Sequence, residues 1–304
     1  ILEISLTRLE KTHPPYMALS YQNKMESNLT KLIKRLKIIL SNGEVVVLGG
    51  GDSSEKRASI ISSDRVLKTL QKLQIKSRLV DPRISKNSLL KALEDAKIIF
   101  LGLHGGYGEN GTIQGWLDFN GIKYTGSGIL ASAIGMNKIV TKKLFIGIKI
   151  PTPEFVEYVE CQNQGKFIDK SERLLKYPLF IKVANEGSGN GVFLIQDRIE
   201  FQKVIYNLVK TIDSKVLYSE RLITGRELSV CTVETENGIV ALPILEVKFD
   251  GNFFSESVRT KPNGYKNIVP ANLERKSKKQ IRDVAVSAHK SLSANSYLRL
   301  DIKL

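Results

Sequence analysis

Two short aliphatic runs, each ending in glycines, limit what this chain can fold into more than any other feature. "EVVVLGGG" fills residues 44–51 and "AKIIFLGLHGG" residues 96–106. A continuous apolar run of four to six residues that stops at glycine reads as a buried strand. The first run is followed by "DSSEKRASIISSDRVLKTLQKL", a helical pattern. Strand, glycine turn and helix make half of a βαβ unit, whose strands lie parallel in an open sheet. Such a sheet gathers its post-strand loops at one edge, where ligands bind. Gly50, Gly51 and Glu55 are therefore expected to face His104 and Glu109 across one crevice.

The second glycine segment, "HGGYGENGTIQGWLDFNGIKYTGSG", contains a formal GxGxxG at residues 106–111. It does not read as a dinucleotide site. No helix is expected to open at Gly111, and "ILASAIGM" at 129–136 lacks the ribose-binding acid that the fingerprint needs about 20 residues on. GxxxxGK[ST] is absent too, which excludes a P-loop.

A helical pattern runs from 129 to about 146, and "KIPTPEFVEY" opens a new unit, with Pro151 and Pro153 as punctuation. A domain boundary is expected between 126 and 150. "YPLFIKVA" and "GVFLIQ" flank "NEGSGNG", which predicts a hairpin closed by a glycine loop. That loop is either an ordinary turn or a row of N–H groups for a phosphate, with Lys182 just before it to supply charge. A helix over "DRIEFQKVIYNLVKTI", a strand over "KVLYSERLI", a strand hairpin turned at Glu236-Asn237-Gly238, a helix near 276–294 and a last strand "YLRLDIKL" follow, with Glu220 and Glu227 flanking an apolar strand and turn. Arg299 and Asp301 alternate on that strand, so both point to one side. They read as a surface ion pair, or as an oxyanion stabiliser beside a Mg²⁺ ligand.

Length and charge narrow the class. At 304 residues the chain holds two or three compact units. Its net charge of +15 comes from dispersed lysines, with no basic block interleaved with aromatics, which speaks against a nucleic-acid partner. No apolar run approaches the roughly 20 residues a membrane span requires, so no membrane insertion is expected. Cys161 and Cys231 have no metal-ligand or CxxC spacing and fit a reducing cytoplasm. In "MESNLTKLIKRLKIIL" the residues Leu29, Leu32, Ile33, Leu36 and Ile39 recur at three and four, a basic amphipathic helix expected to pack on its own domain.

The segments "GGGDSSEKRAS", "LHGGYGENGTIQGWLDFNGIKYTGSGILASAIGMNK", "PLFIKVANEGSGNGV", "SERLITGREL", "IVPANL" and "LRLDI", in this order, resemble the D-alanine–D-alanine ligase family of the ATP-grasp superfamily. The resemblance runs from about residue 43 to the last residue. It implies an α/β chain, α+β in its later domains, with the ATP-grasp fold and an N-terminal Rossmann-like parallel-sheet domain. The implied division is an extension at 1–40, a substrate domain at 41–128, a central ATP-grasp subdomain at 129–222 and a C-terminal one at 223–304. By resemblance, Glu55 holds the ammonium of the first amino acid, Ser188 is hydrogen-bonded to it, and Arg299 stabilises the tetrahedral oxyanion. Lys138, Lys182, Glu186, Gly187, Gly189, Glu220, Ile223, Glu227 and Arg259 line the ATP site, with the two lysines and Arg259 on phosphates. His104 and Glu109 organise the amino-acid crevice, with Thr260 over it, and Asp301 binds Mg²⁺ or Mn²⁺. The activity implied is ATP-dependent ligation through an acyl phosphate, giving D-alanyl-D-alanine for peptidoglycan precursors, in a cytoplasmic homodimer.

The chain departs from the family in places. Arg259 and Thr260 stand where Lys-Tyr is usual, Arg57 stands where an acid is common, and the first 40 residues match nothing in the family. The sequence stops at Leu304, before the Glu-x-Asn that the resemblance places next, so a longer natural chain is expected. Two other readings remain at this point: a ligase for a different amino or hydroxy acid pair, and a non-catalytic ATP-binding relative that acts as an interaction protein.

Overall fold

The computed structural model describes residues 30–158, 163–212, 216–251, 254, 258 and 261–304. The run "EVVVL" forms β1 (Glu44–Leu48), whose Val46, Val47 and Leu48 are fully buried. Such a strand belongs at the centre of a sheet covered on both faces. It pairs in parallel with β2 (Ser77–Val80) on one side and β3 (Ala96–Leu101) on the other, giving the order β2-β1-β3. The chain order thus reverses at β1, and the loops after β1 and β3 become neighbours.

Helix α1 spans 30–40, α2 spans Lys56–Lys72, and α3 spans Lys86–Leu93. Leu89 and Leu93 of α3 join Val46, Leu48 and Ile99 in the first core. The expectation for α1 fails among the described residues: Leu32, Leu36 and Ile39 are 58%, 42% and 54% exposed. Arg35 bonds to Glu236 and Lys37 to Gln74, and Ile33 and Leu40 are half-buried.

A second correction concerns Gly111. A helix, α4 (Thr112–Phe119), does open there, with Gly111 at its N-cap in the left-handed region. An added Cβ at Gly111 would meet the Ile129 carbonyl oxygen at 2.9 Å, so glycine is required sterically as well. Burial of Ile113 and Leu117, one turn apart, holds the eight residues helical despite Gly115.

Helices α5 (Ile129–Met136) and α6 (Lys138–Gly147) lead out of the first unit. An antiparallel sheet, β4-β7-β5-β6, follows, with β4 at Phe155–Glu157, β5 at Leu179–Val183, β6 at Val192–Ile195 and β7 at Leu217–Arg221. Helices α7 (Gln164–Leu175) and α8 (Arg198–Thr211) cover one face, where Phe167 packs edge-on against Tyr158 and Phe201. The last sheet has the order β11-β10-β8-β12, with β9 (Gly238–Ala241) paired to β8 (Glu227–Thr235). Strands β10 (Leu245–Phe249), β11 (Tyr265–Ile268) and β12 (Tyr297–Lys303) complete it, and α9 (Arg275–Ser291) packs against β8 through Ile281 and Ala285. Phe145 and Ile150 share a core with Ala288 and Leu292, so the 129–150 segment bridges the first unit and the last.

Candidate active site

Serines sew the two post-strand loops together. Ser59 Oγ accepts the Gly50 N–H at 2.9 Å and donates to the Gly102 carbonyl at 2.7 Å, and Ser53 Oγ donates to the His104 carbonyl at 2.5 Å. Gly50, Gly51, Ser53, His104 and Gly105 consequently line one narrow crevice, as the sequence predicts. Glu55 stands at the mouth, at the N-cap position of α2, with its carboxylate beside Gly105.

The glycine hairpin between β5 and β6 reaches this mouth. Ser188 Oγ donates to the Glu55 carboxylate. Ser54 Oγ donates to Glu186 Oε2 at 3.3 Å, and Asn190 Nδ2 donates to Ser54 Oγ at 3.3 Å. Gly187 carries no Cβ because one would run into the Glu55 carboxylate. Ser188 itself has φ +53°, a left-handed conformation that serine seldom adopts and that points to function when it recurs at a ligand clamp.

Lysines converge from below the hairpin. Asn137 caps α6 by accepting the Val140 N–H at 3.2 Å, and the helix carries Lys138 and Lys142 one turn apart on one face. The Lys138 ammonium donates to the carbonyls of Ala184 and Glu186, at the root of the hairpin. Burial and the neighbouring charge of Lys182 lower its pKa. Lys142 donates to Glu220 Oε1 at 2.5 Å and to Thr152 Oγ1 at 2.9 Å, while Lys182, on β5, pairs with Glu220 Oε2. Glu220 is buried on β7, and burial raises its pKa, but the two ammonium groups outweigh that and hold the carboxyl below its ordinary range.

Along β12 the residues alternate inward and outward. Leu298, Leu300 and Ile302 turn toward the core, and Tyr297, Arg299 and Asp301 turn out. Arg299 and Asp301 therefore share a face as expected, and pair at 3.2 Å. His104 Nε2 lies 2.8 Å from Ser62 Oγ, and its Nδ1 lies 3.8 Å from Glu109 Oε1. Glu109 raises the His104 pKa against the opposing effect of burial, and the Arg299 charge reaches both residues.

The structure thus joins Ser188 to Glu55 and Glu186 to Ser54 at the hairpin, Lys138 to the hairpin root, Lys182 to Glu220 and His104 to Glu109, with the Arg299–Asp301 pair on β12. Glu227 stands apart from that crevice, paired with Lys303 at 2.5 Å, and lines a cleft of about 660 Å³ over β10 and β11 with Lys248, Asp250 and Lys266. Ile223 lies half-buried in the turn between β7 and β8. Arg259 and Thr260 lie outside the described residues. Sequence reasoning missed Lys142, one turn beyond Lys138 in "NKIVTKKLF". The i, i+4 spacing from Lys138 was the available signal.

Comparison with known proteins agrees with this architecture. Residues 144–304 match the family described as D-ala D-ala ligase C-terminus, and residues 81–127 match D-ala D-ala ligase N-terminus. The D-alanine--D-alanine ligase of Polynucleobacter asymbioticus is 32% identical over 93% of this chain and 83% of its own length. That of Thermotoga maritima is 33% identical over 84% of this chain and 81% of its own length. The crystal structure of the Bacillus anthracis ligase superposes with a TM-score of 0.72 at 27% identity, covering 86% of this chain and 83% of that one. Its complex with ATP gives 0.71 at 26% identity, over 86% and 82%. With ATP-grasp neighbours for its fold and both ligase segments in its sequence, the chain belongs to the D-alanine–D-alanine ligase family.

Proposed function

We propose that the chain is an ATP-dependent carboxylate–amine ligase that joins two D-alanines into the dipeptide used in peptidoglycan precursors. The observation that carries this reading is the hydrogen bond from Ser188 to Glu55, which sets a phosphate-binding hairpin against an ammonium-binding acid. A carboxylate is a poor electrophile. Transfer of the terminal phosphoryl group of ATP to the first D-alanine gives an acyl phosphate and ADP. The amine of the second D-alanine then attacks the acyl carbon, and phosphate leaves as the amide forms.

Each residue has a physical part in that scheme. Glu55 holds the first ammonium, and Ser188 fixes the carboxylate that does so. Lys138 and Lys182 offset charge on the moving phosphoryl group, the backbone N–H groups of Gly187 and Gly189 cradle it, and Glu186 orients the hairpin through Ser54. Glu220 and Ile223 take the base and ribose end, and Arg259 a phosphate. Arg299 stabilises the tetrahedral oxyanion, a preorganised donor worth ~3 kcal/mol. His104 and Glu109 shape the second amino-acid pocket, beneath Thr260. The division into 41–128, 129–222 and 223–304 assigns one sheet to each part of the reaction.

Asp301 keeps an exposed carboxylate that accepts from Ser229 Oγ at 2.9 Å. Oxygen donors of this kind fit magnesium, which needs only one or two protein carboxylates and completes its shell with water and phosphate. Bound there, the ion would neutralise phosphate oxygens. Among the described residues no group of three His, Cys, Asp or Glu side chains forms a fuller cage. No helix among the described residues is long and apolar enough to cross a membrane. A cytoplasmic homodimer is what resemblance to the family implies.

Phosphate release tests the reading. Release from ATP with D-alanine supports it, and release only with other D- or L-amino or hydroxy acids reassigns the substrate. Absence of release with every acid tried refutes the enzyme assignment.

A further inference from the structure

Lys142 is a buried cation that the scheme above leaves unused. Its side chain is only 7% exposed, its ammonium meets Glu220 Oε1 at 2.5 Å and Thr152 Oγ1 at 2.9 Å, and it lies 5.1 Å from the centre of the Phe155 ring. Lys182 meets the other oxygen of the same carboxylate but is three times as exposed, at 21%. One buried acid therefore has two counter-ions of different kind. Lys142 is enclosed by Glu220, Thr152 and Phe155, whereas Lys182, 5.0 Å from the centre of the Phe180 ring, stands on β5, the strand that leads into the glycine hairpin, and keeps more of its side chain open to solvent.

We propose that Lys142 is the dedicated counter-ion of Glu220, which frees Lys182 to serve a nucleotide phosphate and keeps the base pocket an acceptor-only site for a 6-amino purine. The inference rests on the ligase reading for the placement of the nucleotide. Glu220 and a phosphate compete for the charge of Lys182. Were Lys182 the sole partner, every proton it turned toward phosphate would leave a buried carboxylate short of compensation, a strongly unfavourable state. The acid would then take up a proton and become a donor as well as an acceptor. An ionised carboxylate accepts only, so it welcomes the exocyclic amine of adenine and repels the carbonyl oxygen that inosine carries at that position. Lys142 acts through Glu220 and Lys182 and is a positioning residue.

Equilibrium titration of the full chain with ATP and with ITP tests this without requiring turnover. Lys142→Met is expected to weaken ATP binding about tenfold, a 1.4 kcal/mol change. ITP should be affected less, so the preference for ATP over ITP narrows. In steady state the KM for ATP should rise more than kcat falls, and Lys142→Arg, which keeps the charge, should restore much of the ATP preference. Thr152→Val, which removes a hydrogen bond from the ammonium but leaves the charge, should move the ATP titration the same way by a smaller factor, and it carries the test if Lys142→Met does not fold. Unchanged ATP affinity and an unchanged ATP-to-ITP ratio in folded Lys142→Met, or in Thr152→Val, overturns the proposal. A wild-type chain that binds neither nucleotide overturns the ligase reading itself.

Discussion

The hydroxyl of Ser188 donates to the carboxylate of Glu55 across 133 residues of chain, joining the tip of a β-hairpin to the loop that follows the first strand of the parallel sheet. Substitution at either end should separate amino-acid binding from nucleotide binding. A hydrogen bond to a charged group contributes about 1.5–3 kcal/mol. Glu55→Gln, which loses the charge that holds the ammonium, should cut dipeptide formation at least about 100-fold. Its ATP titration should stay near that of the wild type. Unchanged turnover in this variant would contradict the crevice assignment.

Lys182→Ala should act on the nucleotide. The variant removes a phosphate ligand and one partner of Glu220 together, and a loss of ATP affinity of about 10- to 100-fold is expected. Calorimetric titration of the full chain measures it. An unaltered isotherm would remove Lys182 from the phosphate site.

Arg299 should matter to the chemical step rather than to affinity. Losing one oxyanion donor typically lowers kcat about 10²- to 10³-fold. Arg299→Ala is expected to fall in that range with little change in the KM for ATP. A variant that raised KM at constant kcat would show that the arginine only binds substrate.

The His104–Glu109 pair should leave a signature in stability against pH. The His104 pKa is raised, chiefly by Glu109, so its contribution is complete below the ordinary value of 6.5 and fades as pH climbs through the folded value. The Glu109 pKa is pushed up by burial, but His104, the Gly105 N–H and Arg299 together bring it below the ordinary value of 4.5. That contribution is complete above 4.5 and fades as pH falls through the folded value. The difference in melting temperature between wild type and His104→Gln should therefore be greatest between pH 4.5 and 6.5 and shrink on the alkaline side. A difference that stays flat from acid to alkaline pH would exclude the pair as its source.

The second sheet offers a test of the fold. Phe167 is fully buried between Tyr158 and Phe201, with ring centroids 5.2 and 5.5 Å away. Phe167→Ala should destabilise the chain by ~3–5 kcal/mol, seen as an earlier denaturant midpoint. A loss under about 1 kcal/mol would mean that neighbouring side chains close the void.

What the sequence revealed follows from pattern strength. β1 was legible because four buried aliphatic residues abut three glycines, and the β5–β6 hairpin because two apolar strands flank an unmistakable loop. β2 was missed because Ser77–Val80 is short and only half-buried, with Arg78 on it paired to Glu44. α4 was missed because a glycine cap and an internal glycine hide an eight-residue helix whose order comes from tertiary burial. The exposure of α1 could not be read either, since an amphipathic stripe does not say whether anything faces it. Lys142 shows the limit most clearly. "TKKLF" reads as a solvated charge run, and Lys143, 56% exposed, behaves so, while Lys142 turns inward to an acid 78 residues away. The Ser188–Glu55 contact is tertiary and became an expectation only through resemblance to a family.

Lys138 and Lys142 share one helix, and that makes α6 a ruler. Four residues, roughly 6 Å of rise, set how far the hairpin root stands from the base-end acid. One residue inserted between them would swing the second ammonium about 100° around the axis, away from its partner, while four would nearly restore the bearing and lengthen the gap by a turn. The spacing between these two lysines should therefore tolerate changes of side chain far better than changes of length.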